Sequence, residues 1–184
     1  MSPAAFENVT QQSTGFAPIA ANDARILILG SLPSQISLQT QQYFANPRNV
    51  FWRIMGDLFD AGPELPYAHR AARLKQQGIA VWDVLQSSVR PGSLDANIDS
   101  KTAVANDFAA FFASHPDLEL LGFNGKKALQ LYSRLVEPQG IASIRSLKYQ
   151  SLPSTSPAHA AMGYDEKLRM WSVVREAARD NRRP

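Results

Sequence analysis

Arg25-Ile-Leu-Ile-Leu-Gly30 runs directly into Ser31-Leu-Pro-Ser34. A continuous apolar run this short, closed by glycine and proline, reads as a strand buried on both faces that stops at a loop. Ile79-Ala-Val-Trp-Asp-Val-Leu85 has the same character, Leu118 to Phe123 leads into Asn124-Gly125, and Lys148 to Leu152 is closed by Pro153-Ser-Thr-Ser-Pro157. These four runs predict four strands. Between them lie helical patterns. Phe51, Ile54, Met55, Leu58 and Phe59 share one face, with Asn49 placed to cap the helix. Tyr67 to Gln77 ends at Gly78, Thr102 to Ser114 carries Val104, Phe108, Phe111 and Phe112, and Gly125 to Val136 and Asp165 to Arg179 follow.

Strands alternating with helices predict an α/β fold: a four-stranded, mainly parallel central sheet covered by helices on both faces, in three layers. In such sheets a ligand sits beyond the carboxyl ends of the strands. The chain of 184 residues suits one domain. Residues 1–23, polar and without a clear period, read as a leader or arm, and residues 24–184 as a single domain.

Composition narrows the function. Cysteine is absent, which removes disulfides, thiolate nucleophiles, Cys-ligated zinc and iron–sulfur clusters. No apolar run approaches the roughly 20 residues of a membrane span, and no secretory signal pattern opens the chain; a cytoplasmic location is expected. Net charge is only +3, yet arginine outnumbers lysine 13 to 6, and arginine is the better fork for phosphate oxygens. The three histidines, His69, His115 and His159, are too scattered for a metal site, so no metal is expected. Phosphate-binding glycine signatures are missing, as is the G-x-S-x-G elbow that a Ser154–His159 hydrolase would need. No cofactor is called for.

The loops after the strands hold the candidate chemistry. Gly30, Ser31, Leu32, Pro33 and Ser34 begin a loop that continues to Tyr43-Phe-Ala-Asn-Pro-Arg-Asn49. Aromatic rings there can stack on a planar base, and asparagine can read a base edge or orient a water; equally, the rings can pack inward and the asparagines make turns. Ser154, Thr155 and Ser156, interleaved with prolines, present hydroxyls and amides to a phosphate, or form an ordinary turn. Asn124-Gly-Lys126-Lys127 at a helix start would attract an anion. Asp83, inside an apolar strand, is a general base or a brace, and an Arg90–Asp95 pair is expected to tie the loop beyond it.

Gly30-Ser-Leu-Pro-Ser34, Phe44-Ala-Asn-Pro-Arg-Asn-Val-Phe-Trp52 and Leu152-Pro-Ser-Thr-Ser-Pro157 together resemble the active-site motifs of the uracil-DNA glycosylase superfamily. The nearest resemblance is to its hypoxanthine-DNA (deoxyinosine) branch, and the next to the mismatch-specific uracil/thymine glycosylases. It runs in order from Arg25 to Trp171. Leu32 stands where the mismatch enzymes carry a water-activating Asn, and Leu152 stands where His or Asn precedes Pro-Ser; the deoxyinosine branch shares both departures.

The resemblance implies a monofunctional DNA glycosylase of base excision repair that flips a deaminated base out of DNA and hydrolyses its N-glycosidic bond. Asn49, with Asn46 second, takes the catalytic role of positioning water. Phe44 stacks on the base with Tyr43 beside it, within a pocket floored by Gly30 to Ser34. Ser154, Thr155 and Ser156 grip phosphates, with Lys126, Lys127, Arg48 and His159 as further DNA contacts. The partner is DNA carrying a deaminated base, and the enzyme is expected to act as a monomer. Two other classes stay open from the residues: a silent module that binds damaged DNA, and a hydrolase of free nucleosides.

Overall fold

The structure, a computed structural model, describes residues 12–140 and 147–180. Its centre is a four-stranded sheet in the order β3-β2-β6-β7, formed by β2 (Ile26–Gly30), β3 (Ile79–Asp83), β6 (Leu120–Asn124) and β7 (Lys148–Leu152). Every neighbouring pair is parallel. The strands therefore end together, and Gly30, Asp83, Asn124 and Leu152 form one rim. β2, β3 and β6 are buried at every position, as strands covered on both faces must be.

Trp82, Leu29 and Phe123 lie in one row across the sheet. Against that row pack α4 (Phe108–Ser114) and α5 (Lys126–Leu135): Trp82 meets Phe108 and Phe111 at 5.3 and 5.0 Å between ring centroids, and Phe123 meets Tyr132 at 5.2 Å. On the other face α2 (Phe51–Phe59) joins α6 (Tyr164–Asp180), with the Phe51 and Trp171 rings edge to face at 5.9 Å. The chain leaves β2 for α2 on one face and leaves its neighbour β6 for α5 on the other. A crevice opens between loops that diverge in this way.

The remaining elements refine the expectation. α1 (Gln35–Thr40) and α3 (Tyr67–Gln76) lie between β2 and β3. The predicted strand from Ile79 to Leu85 is two strands. β3 stops at Asp83, and the chain passes into β4 (Leu85–Val89), the middle strand of a second, antiparallel sheet between β1 (Gln12–Thr14) and β5 (Val104–Ala105). The hand-over is pinned by Val84 and Leu85 amides donating to the Gly30 and Ser31 carbonyls at 2.9 and 3.0 Å. β1 (Gln12–Thr14) pairs with β4, and Ile19, buried, bridges Val81 on the free edge of β3. The described part of the expected arm thus covers a sheet edge whose backbone groups would otherwise lack partners.

The helix expected from Thr102 is shorter. Val104–Ala105 forms β5 against β4, and Asp107 caps α4 by accepting the Ala110 amide at 2.9 Å, so the helix cannot begin earlier. Removing that cap with Asp107→Ala is expected to destabilise the fold by about 1 kcal/mol. That corresponds to a Tm lower by roughly 2–4 °C for a chain of this size, read by thermal unfolding at neutral pH.

Candidate active site

Beyond the shared rim lies a cavity of about 530 Å³. Its floor is Gly30 and Asp83, paired in register across β2 and β3. The loop after β2 forms one wall, the loop after β7 another, and the segment after β4 closes a third side through Ser93 to Asp95.

The first wall is built rigidly. Ser34 caps α1, its Oγ accepting the Ser37 amide at 3.2 Å, and Ser37 Oγ in turn accepts the Ala45 amide at 3.2 Å. Tyr43 is buried, donates its hydroxyl to the Phe16 carbonyl at 2.9 Å, and lends its own carbonyl to Trp52 Nε1 at 2.8 Å. Burial drives its phenol well above the usual range. Expected beside the stacking ring, Tyr43 lines the cavity while its hydroxyl is anchored inward. Phe44 is the ring that faces the cavity. It sits at φ 55°, stacks on Phe51 at 4.0 Å, and lies against Gly30, where an added Cβ would stand 3.6 Å from its Cζ.

Asn46 and Asn49 hold the turn that follows. Asn46 Oδ1 accepts the Arg48 amide at 2.9 Å, and its carbonyl accepts the Asn49 amide at 2.8 Å. Asn49 Oδ1 accepts the Phe51 amide at 3.0 Å. Asn49 was expected as the N-cap of α2; Val50 occupies that place, one residue on, and its amide bonds the Thr155 carbonyl at 3.1 Å. With Oδ1 fixed on a backbone N–H, the Asn49 side chain has a defined orientation. It keeps its Nδ2 donors and one oxygen lone pair.

Two buried side chains staple the walls together. Arg90, 2% exposed, donates to the Leu32 carbonyl at 3.0 Å and to the Pro33 carbonyl, and stands 4.0 Å from Asp95. Asp95 in turn accepts the Ser31 hydroxyl at 2.5 Å. The expected Arg90–Asp95 pair is thus part of a larger clamp that shapes the Gly30–Ser34 loop from behind. Asn124 makes two bonds to Thr155, donating Nδ2 to its Oγ1 and accepting its amide, both at 2.9 Å. Thr155 is therefore a buried brace. Ser154 and Ser156 accept amides two residues on and keep their O–H donors.

His159 and Arg48 line the cavity, whereas Lys126 and Lys127 do not. Lys167 on α6 is buried and donates to the His159 carbonyl at 2.9 Å. No motif in the sequence singled it out, because a lysine on an amphipathic helix reads as solvated. Among the described residues no cluster of His, Asp and Glu could hold a metal ion.

Asp83 is the outlier. It is 4% exposed, its Oδ2 has no hydrogen-bond partner among the described residues, and its pKa is pushed up to about 7, by burial first and then by Asp95. An unfolded chain ionises this carboxyl near 3.8. Between that value and about 7 the folded state retains a proton that the unfolded state has lost, so stability falls as pH rises through the window. The loss is on the order of a few kcal/mol. Asp83→Asn is expected to match wild type in Tm near pH 4 and to exceed it by several degrees at pH 8; thermal scans at both pH values check this.

Comparison with known proteins bears on this site. The family model described as the uracil DNA glycosylase superfamily matches residues 17–177. A hypoxanthine DNA glycosylase of Methanosarcina acetivorans is 34% identical over 162 residues, which are 88% of this chain and 97% of that protein. One of Methanosarcina barkeri is 37% identical over 115 residues, 62% of this chain and 72% of its own. The solution NMR structure of a Methanosarcina acetivorans protein named for uracil DNA glycosylase superposes with a TM-score of 0.73 at 33% identity, covering 90% of this chain and 98% of that one.

Proposed function

We infer the function from one fixed point: the chain belongs to the uracil DNA glycosylase superfamily, whose model spans residues 17–177. It is a DNA glycosylase, and its substrate is DNA carrying a deaminated base. The reading proposed here is that the preferred base is hypoxanthine, released from deoxyinosine by hydrolysis of the N-glycosidic bond to leave an abasic site. Its main support is the polar and aromatic lining of the strand-end cavity, together with the names of the two Methanosarcina relatives.

The chemistry follows from where the groups stand. A base in the duplex is unreachable, so the nucleotide turns out of the stack and the base enters the cavity, lying along the Phe44 ring. As the N-glycosidic bond stretches, positive charge grows on the sugar and negative charge on the base. Asn49, oriented by the Phe51 amide, holds the attacking water with its free lone pair and Nδ2. Asn46 supports it through the carbonyl that fixes the Asn49 amide. The water oxygen bonds to the sugar C1′, the glycosidic pair leaves with the base, and one proton is lost to solvent.

Ser154 and Ser156 offer hydroxyl donors to the phosphates flanking the turned-out nucleotide, with Arg48 exposed at the rim. The described site contains no lysine placed to form a Schiff base with the sugar, in keeping with a monofunctional enzyme. Action as a monomer and a cytoplasmic setting are part of the same proposal.

Asn49→Ala is expected to slow single-turnover release of hypoxanthine by about 100-fold or more while leaving DNA affinity within about threefold. Asn46→Ala, which loosens the turn, is expected to cost about tenfold. Equal, near-wild-type rates for both would remove the catalytic assignment.

A further inference from the structure

The wall that carries Ser154 and Ser156 rests on a buried cation that the reaction just described does not use. Lys167 lies on α6, is 5% exposed, and donates Nζ to the His159 carbonyl at 2.9 Å. No carboxylate among the described residues pairs with it. Burial strips the ammonium of hydration, and for that reason holds this lysine below its usual pKa range. An apolar side chain at the same place on the helix would pack without that penalty, as replacements of buried charges commonly do. The fold alone does not call for a lysine here.

What the lysine holds accounts for its presence. Trp171, one turn further along α6 and on the same face, is fully buried and donates Nε1 to the Pro153 carbonyl at 3.0 Å. Two neighbouring donors on one helix thus grip the two carbonyls that bracket residues 154–158. Within that span the chain is laced by its own groups. Ser154 Oγ accepts the Ser156 amide and Ser156 Oγ accepts the Ala158 amide, both at 3.2 Å, and the Ser156 carbonyl accepts the His159 amide at 3.0 Å. The near end is tied again through Thr155, to Asn124 and to Val50. At the far end, among the described residues, the hydrogen bond that reaches His159 from another element is the one from Lys167.

Resting on the glycosylase reading, in which this loop meets the phosphates beside the turned-out nucleotide, we propose that Lys167 is a positioning residue for DNA. It fixes the far end of the loop, so that the Ser154 and Ser156 hydroxyls meet those phosphates together and His159 keeps its place in the cavity wall. The loop is then ordered before DNA arrives, which removes that ordering cost from the binding step. Charge assistance makes the tether stronger than a neutral donor's would be, and this is what a cation adds. Lys167 acts through the loop and touches no substrate.

The test is a double-mutant cycle on the full chain, combining Lys167→Met with the pair Ser154→Ala and Ser156→Ala. Affinity is measured for a duplex holding a tetrahydrofuran analogue of an abasic site, and single-turnover hypoxanthine release is followed in the same proteins. Lys167→Met removes the cation and keeps a long unbranched side chain. It is expected to weaken binding of that duplex by about tenfold, while Tm stays level with wild type or rises. In the chain that already lacks both hydroxyls, the same change is expected to cost less than about twofold, because the groups it positions are gone. A lower Tm with wild-type affinity in the folded protein would make Lys167 a residue of the fold and overturn the proposal. So would a loss of affinity that persists undiminished without the hydroxyls. Either result, with hypoxanthine release by wild type intact, removes the role of Lys167 alone. Wild type that neither releases hypoxanthine nor prefers the abasic analogue to undamaged duplex would overturn the glycosylase reading itself.

Discussion

Four parallel strands that end on one rim send out loops whose backbone groups have no neighbouring strand to bond, and the site depends on how that shortfall is met. Parallel pairing supplies hydrogen bonds only as far as Gly30, Asp83, Asn124 and Leu152. Beyond them the loops are joined by side chains. Arg90 holds the carbonyls of Leu32 and Pro33, Asp95 holds the Ser31 hydroxyl, and Asn124 holds both the amide and the hydroxyl of Thr155. One further backbone bond, Val50 to Thr155, ties the first wall to the last. Arg90, Asn124 and Thr155 are buried, which makes the walls stiff and lets the few groups that face the cavity stand in fixed positions.

That stiffness separates residues that look alike in the sequence. Tyr43 and Phe44 are adjacent aromatics, yet the first turns inward to the Phe16 carbonyl and the second turns toward Gly30 because its backbone adopts a positive φ. Ser154, Thr155 and Ser156 are three hydroxyls in a row, yet Thr155 is spent on Asn124 while its neighbours keep donors. Asp83 and Asp95 are both acids behind the first loop, yet Asp95 accepts the Ser31 hydroxyl while Asp83 Oδ2 has no partner among the described residues. The uneven distribution of satisfied and unsatisfied groups marks what the cavity offers a ligand.

The strand runs Ile26–Gly30 and Lys148–Leu152 were legible because continuous apolar or β-forming residues between glycine and proline signals admit few other readings. The rim, the cavity-facing loops and the pair of asparagines followed from that pattern and from the motif strings. What was hidden depended on contacts distant in sequence. Nothing local in Ile79 to Leu85 announces that Asp83 closes one sheet and Leu85 opens another, since the break exists only where Val84 and Leu85 meet β2. Likewise Gln12–Thr14 and Ile19 look polar or isolated until β4 and the edge of β3 are present to receive them. Asn49 carries a capping signature, and it does accept an amide two residues on, while the cap itself falls on Val50.

The central claim is that this strand-end cavity takes a deaminated purine out of DNA and severs it from its sugar. Single-turnover base release from duplexes carrying one deoxyinosine, one uracil or one xanthine, with alkali used to reveal abasic sites, tests it most directly. The account predicts release of hypoxanthine well ahead of uracil. Tight binding of the deoxyinosine duplex with no release of base, or release of uracil ahead of hypoxanthine, would contradict it.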